Sequence, residues 1–303
     1  MKKILYALWI LILYPLITDA QSFQLSETGL FEPQNKKILL FKDAMNKKLL
    51  VFKTDVQVNT DGAPNSYHPM DVHGDSLAIN SVGNAITVKK NKVNVPYKEL
   101  IGVFRQWKDS NYSVIPNGYE ITWKNVFAHN QNEKPCIVDS GKYKGFLVSQ
   151  TTLKNIPNGV RCNPANEINS NEIPGFVIPG DTTKFLGING ARVGDLVVGY
   201  NPKTDKLVHA VIYDTGPNKK LGEGSVKMNM LLKGKTNLPK NIKDSYALAL
   251  DNAIISIIPQ SKSFQRQRPF SLENIKTRTE NWLKESGFKD EQSFKKFLKS
   301  NVK

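Results

Sequence analysis

The sequence predicts a mainly β domain followed by a short helical appendage. Three observations support this. Short apolar, β-prone runs are separated by turn residues, one pair of runs forms a clear hairpin, and after Ser271 the apolar spacing changes to steps of three and four. The composition fits one main globular domain. Of 303 residues 40% are hydrophobic, 23% are charged and two are cysteine, which excludes collagen-like, disordered and disulfide-scaffold classes.

The chain opens with Lys2 and Lys3 ahead of an apolar run from Ile4 to Ile17 and a small residue at Ala20, the layout of a secretory signal peptide over residues 1–20. The run is short of the roughly 20 apolar residues that span a bilayer. The expectation is therefore a secreted or periplasmic protein with no stable membrane insertion. Removing two lysines and one aspartate with this segment lowers the formal charge from +15 to +14.

The predicted strands then follow in order: 37–42, 49–55, 78–88, 101–107, 119–123, 145–149, 176–178, 195–200, 207–213 and 253–258. The hairpin joins 193–200 to 207–213 through Asn201-Pro202-Lys203-Thr204-Asp205. Its second strand must stop at Pro217, which has no N–H for a ladder. A short helix is predicted over 225–232, a polar linker over 260–269, a helix from Ser271 to near Gly287, and a last helix over 291–298. This divides the mature chain into a domain over 21–262 and a helical extension over 263–303.

Cys136 and Cys162 leave two readings open, a single loop-closing disulfide or two buried thiols. Neither has the CxxC or Cys/His spacing of a zinc site. The basic excess, 42 Lys+Arg over 27 Asp+Glu, is spread through loops such as Lys36-Lys37, Lys89-Lys90 and Lys219-Lys220. Nucleic-acid proteins cluster such residues among aromatics, so no nucleic-acid partner is expected. Long-range attraction to an anionic wall or polysaccharide remains open, and the protein is expected to act as a monomer.

No GxSxG, GxxxxGK[ST] or HExxH motif is present. His68, Asp71, His73 and Asp75 share one loop, but their spacing matches no standard ligand set, so the reading is a solvated loop without metal or cofactor. The more informative pair is Asp214, ending a strand, and Glu223, at a glycine-flanked helix start. Two carboxylates in one groove are what glycoside hydrolysis needs, one to protonate the leaving oxygen and one to activate water. Spacing alone equally suits a turn-forming Asp and a charge favoured by a helix dipole.

The stretches GARVGDL (190–196), AVIYDTGP (210–217) and LGEGS (221–225), with TDGAPN (60–65), GFLVSQTTL (145–153) and IPGFVIP (173–179) in the same order, resemble the fungal-type chitosanases of glycoside hydrolase family 75. The resemblance spans about residues 50–260. It implies an endo-acting, inverting hydrolase of β-1,4-linked glucosamine polymer (chitosan) that needs no cofactor, with Asp214 and Glu223 as its essential carboxylates. The expected roles are Glu223 as general acid, with a raised pKa, and Asp214 as base, with the exchange left open. Asp61 matches an acid of the family's substrate loop. Gln57 and Asn59 stand where the family carries carboxylates, and Tyr213 is expected to stack on a sugar. The same segment is similar to double-psi β-barrel proteins, implying a double-psi-like six-stranded barrel core with short helices.

The amides at Gln57 and Asn59 suit a polycationic substrate less well than carboxylates would. The alternatives are therefore a hydrolase of another amino-sugar polymer such as peptidoglycan, and a non-catalytic cell-wall polysaccharide-binding β-barrel.

Overall fold

The long strand β3 (Lys48–Asn59) organises the molecule, because both of its edges are used. The computed structural model describes residues 23–302, so the signal segment expected over 1–20 lies outside the described residues. One edge of β3 pairs with β11 (Leu250–Ile258), and the other pairs first with β2 (Lys36–Lys42) and then, in parallel, with β10 (Glu223–Ser225). From β10 the ladder continues through β7 (Gly175–Pro179), β9 (Lys206–Gly216) and β8 (Leu196–Asn201) back to β11. The result is the expected closed six-strand mixed β-barrel, in which β3–β10 and β7–β9 are parallel. A further strand, β1 (Gln24–Phe31), extends the sheet beyond β2.

Period-two alternation divides the barrel strands between two apolar clusters. Phe52, Phe176, Val197, Ile212 and Ile255 fall in one, joined by Met228 and Leu232 of α3 (Val226–Lys233). Val51, Val198, Val211, Tyr213 and Ile254 fall in the other. That second face is covered by α5 (Leu272–Glu285) and α6 (Glu291–Asn301), which contribute Ile275, Trp282, Phe294 and Leu298. Both helices start where the sequence predicts, each with a reciprocal capping box, Ser271 with Asn274 and Asp290 with Ser293. No helix among the described residues is long and apolar enough to cross a membrane.

Between β3 and β7 the chain builds a separate lobe with its own small core. It contains β4 (Thr87–Lys90), β5 (Val93–Asn94), α1 (Tyr97–Asp109) and β6 (Tyr119–Thr122), packed around Phe104, Trp107, Trp123, Phe127 and Leu147. Here the sequence reading needs correction. The strand predicted over 101–107 is helical, because Leu100, Ile101, Phe104 and Trp107 recur at steps of three and four and so make one buried face. The run 78–88 is a loop with a 3₁₀ turn at Val82–Asn84, and only its last two residues enter β4. Residues 145–149 form no strand; isolated bridges tie Leu147 to Tyr67 and Ser149 to Phe127. Cys136 and Cys162 are disulfide-bonded within this lobe. The remaining helices are short: α2 (Phe185–Ile188) precedes β8, and α4 (Ile242–Tyr246) precedes β11.

Candidate active site

A cleft of about 1100 Å³ separates barrel and lobe, and Asp61, Asp214 and Glu223 all line it. Register brings the two sequence-distant carboxylates together. Asp214 on β9 and Glu223 on β10 both pair with Val177 of β7, one from each side. Two interstrand spacings therefore separate their backbones, about 10 Å. Pro217 ends β9 after Gly216, and the chain returns through Gly222. Gly222 has φ +115°, and a Cβ there would lie 2.2 Å from the Asp55 carbonyl oxygen, so only glycine permits this return. The turn is pinned from outside by Lys36 Nζ, which donates to the Leu221 carbonyl at 2.8 Å, and by Leu221 N–H, which donates to Gln34 Oε1 at 2.6 Å.

The lobe supplies donors to Asp214. Thr152 Oγ1 and Thr152 N–H donate to its Oδ1 at 2.6 and 3.0 Å, and Thr215 N–H donates to the same oxygen at 2.8 Å. All three converge on Oδ1, leaving Oδ2 for water or substrate. Behind Thr152, buried Glu167 accepts from Thr151 N–H at 2.7 Å and pairs with Lys154 at 2.7 Å. Burial pushes the Asp214 carboxyl above its ordinary pKa, against the opposing pull of these hydrogen bonds and of Lys154.

Asp61 follows β3 at a turn where Gly62 has φ +82° and a Cβ would sit 2.0 Å from the Ile168 carbonyl oxygen. Its Oδ1 accepts from Tyr67 OH at 2.9 Å and Ser149 Oγ at 3.1 Å. Burial, reinforced by the nearby Asp214 and Glu223 charges, pushes its pKa up to about 7, despite the two hydroxyl donors. Glu223 is different. Lys220 Nζ meets its Oε1 at 2.5 Å, so it sits in the cleft as an ion-paired carboxylate.

The surroundings of the carboxyls differ. Burial raises the pKa of Asp214 and Asp61, whereas Glu223, expected as the general acid, has Lys220 against it. Tyr213 also departs from its expected role. Alternation along β9 turns it away from the cleft that Asp214 lines; it is 0% exposed, and its hydroxyl donates to Asn59 Oδ1 at 2.9 Å. It supports the site from beneath and has no face open to a sugar. Asn59 lines the cleft, with Oδ1 also accepting from Asp61 N–H at 2.8 Å, and Gln57 lines it as an exposed side chain.

The histidine-rich loop is organised by Asp71, whose carboxylate accepts from the N–H groups of Asp75, Ser76, Leu77 and Ala78. His73 Nδ1 is bonded to Tyr97 OH at 2.8 Å, and His68 packs edge-on against Phe146. A different ligand-capable group lies where β9 meets the C-terminal helices. There His209, Glu280 and Glu291 bring one atom each within 4.8 Å of one another, with His209 Nε2 at 2.6 Å from Glu291 and Lys276 at 3.7 Å from Glu280.

Sequence reasoning missed Thr152, Ser149, Tyr67, Glu167 and Lys220. Thr152 and Ser149 lie inside the quoted segment 145–153, but no local pattern marks which hydroxyls reach a carboxylate 62 or 88 positions away. No protein-family model matches this chain, and no curated protein matches it, so its geometry carries the functional reading.

Proposed function

We propose that this protein is a secreted or periplasmic, endo-acting glycoside hydrolase of the chitosanase type, cleaving a β-1,4-linked amino-sugar polymer by single displacement. The observation that carries the reading is the pair Asp214 and Glu223, registered on either side of Val177 and lining one cleft. A backbone separation of about two strand spacings leaves room for a water between carboxyls, as inversion requires. The resemblance of residues 50–260 to family 75 chitosanases supports the same chemistry.

The environments divide the roles. Asp214 is buried, and burial raises its pKa against the pull of the three donors on Oδ1; this suits an acid, with Oδ2 the oxygen left to carry the proton. Glu223, ion-paired with Lys220, suits the base. In the step, Asp214 gives its proton to the glycosidic oxygen as the bond from that oxygen to C1 breaks. A water attacks C1 from the opposite face and loses a proton to Glu223. Asp214 ends ionised and Glu223 protonated, and exchange with solvent restores both. Asp61, whose own pKa is raised by burial and by the Asp214 and Glu223 charges, adds negative charge to the same cleft when ionised.

The test is reducing-end release from partly acetylated chitosan and from peptidoglycan by the wild type, Asp214→Asn and Glu223→Gln. Release by the wild type and its loss in both variants is the expected outcome. Salt-sensitive binding without new reducing ends would replace this reading with the wall-binding barrel, which the chain's +15 charge also suits.

A further inference from the structure

Outside Asp61, Asp214 and Glu223, the charged side chains lining the cleft are Lys124 and Lys220. The other polar side chains on its walls are amides and hydroxyls. Gln57 and Asn125 are exposed, Asn84 keeps its Oδ1 open while its amide donates to Asn80 and Tyr246, and Gln150 donates to the Lys124 carbonyl. Both lysines are ion-paired, Lys220 with Glu223 and Lys124 with Glu133, so a polymer with a protonated amine on every sugar would find unpaired carboxylates only at Asp61 and Asp214, and amides and hydroxyls along the rest of the walls. A protonated amine set against such walls gains no opposite charge and gives up hydration, so a loss of about tenfold in affinity, about 1.4 kcal/mol, is expected on each such sugar. An acylated nitrogen changes the match, because an acetamido group offers one N–H and one carbonyl, and a primary amide answers both. Lys124 stands at the rim, 48% exposed and shared with Glu133, so a carboxylate on the substrate can reach it.

Resting on the hydrolase reading above, we infer that the substrate is an N-acylated, carboxylate-bearing amino-sugar glycan of the peptidoglycan type, with Lys124 as a specificity residue that meets its negative charge. The chain's net charge of +15 draws such a polymer toward the protein at long range.

The experiment compares initial rates of reducing-end release from peptidoglycan sacculi, highly acetylated chitosan and fully deacetylated chitosan, at low and high ionic strength. It uses the wild type, Lys124→Glu, Lys124→Gln and Asp214→Asn. Expected are rates on the first two polymers at least about tenfold above the third, and a peptidoglycan rate that falls with salt. Lys124→Glu lowers the peptidoglycan rate about fivefold, Lys124→Gln by less, and neither changes the rate on the neutral acetylated polymer beyond about twofold. Deacetylated chitosan as the best substrate, with Asp214→Asn inactive, overturns this inference and leaves the hydrolase reading standing. Cleavage of acetylated chitosan with sacculi uncut, or equal sensitivity of both polymers to Lys124→Glu, overturns the role of the carboxylates. No release from any polymer, with Asp214→Asn indistinguishable from wild type, overturns the hydrolase reading and this inference together.

Discussion

The barrel wall and the lobe wall of the cleft are built differently. On the barrel side Asp214 and Glu223 sit on paired strands, where ladder register sets their positions through Val177. On the lobe side Tyr67, Ser149 and Thr152 come from irregular segments, tied by isolated bridges and a disulfide. The difference separates two tasks. Strands fix where the carboxylates are, and the lobe's hydroxyls adjust how tightly Asp214 and Asp61 hold their protons.

The largest expected effect comes from the barrel side. Asp214→Asn and Glu223→Gln each lose at least about a hundredfold in kcat, with unchanged far-ultraviolet circular dichroism. A variant that kept a tenth of wild-type activity would remove its residue from the chemistry.

The lobe side is expected to fail through stability first. The disulfide spans a separation of 26 residues, and Cys136 shares a small cluster with Val138 and Val148, next to Ser149. Reduction, or Cys136→Ser with Cys162→Ser, is expected to cost about 3 kcal/mol in urea unfolding. Activity should fall alongside, since the segment 145–153 carries the donors. Full activity in the double variant would show that the lobe needs no staple.

Asp61 links the two walls and gives the comparison a pH dependence. Its folded pKa, about 7, lies above the ordinary carboxylate range, so the folded protein binds this proton more tightly than the unfolded chain. The associated stability is complete below about pH 4 and is lost as pH rises through about 7. Asn is neutral throughout and keeps an acceptor for Tyr67 and Ser149. Asp61→Asn is therefore expected to match the wild type at low pH and to exceed it by on the order of 4 kcal/mol at alkaline pH, read by thermal unfolding across that range. Equal melting curves at both ends would place Asp61 in water.

The smallest change isolates the tuning itself. Thr152→Val removes one hydroxyl donor from Asp214 Oδ1 and leaves the backbone N–H in place. That donor lowers the Asp214 pKa, so its loss raises it further. With Asp214 as the acid, the basic limb of the pH–rate profile moves to higher pH; a shift of the acidic limb to higher pH, with the basic limb unmoved, would make Asp214 the base.

These two walls also differ in how far they were legible in the sequence. The barrel's hairpin, the stop near Pro217 and the short helix over 225–232 rest on signals within a few residues, and local pattern reads these well, although Glu223, expected at the helix start, lies on β10 just before it. The lobe resisted, because Ile101, Val103 and Phe104 look like strand until Leu100 and Trp107 complete a helical face. Segment 145–149 has β-prone residues but only isolated bridging partners. The surroundings of the carboxyls were illegible for a related reason. Lys220 lies three residues from Glu223, yet its effect depends on the Gly222 turn that folds it back, and Thr152 reaches Asp214 only through the tertiary fold. Tyr213 shows the same limit, since alternation says that it faces away from its neighbour Asp214 but not which of the two faces the cleft.

The central claim is that two carboxylates held across Val177 act on opposite faces of one sugar. The most direct measurement follows the first-formed anomer by proton NMR during cleavage of a soluble β-1,4-linked amino-sugar oligomer. The account predicts that the α-anomer appears first and then mutarotates; the β-anomer appearing first would mean direct attack by a carboxylate and would contradict single displacement.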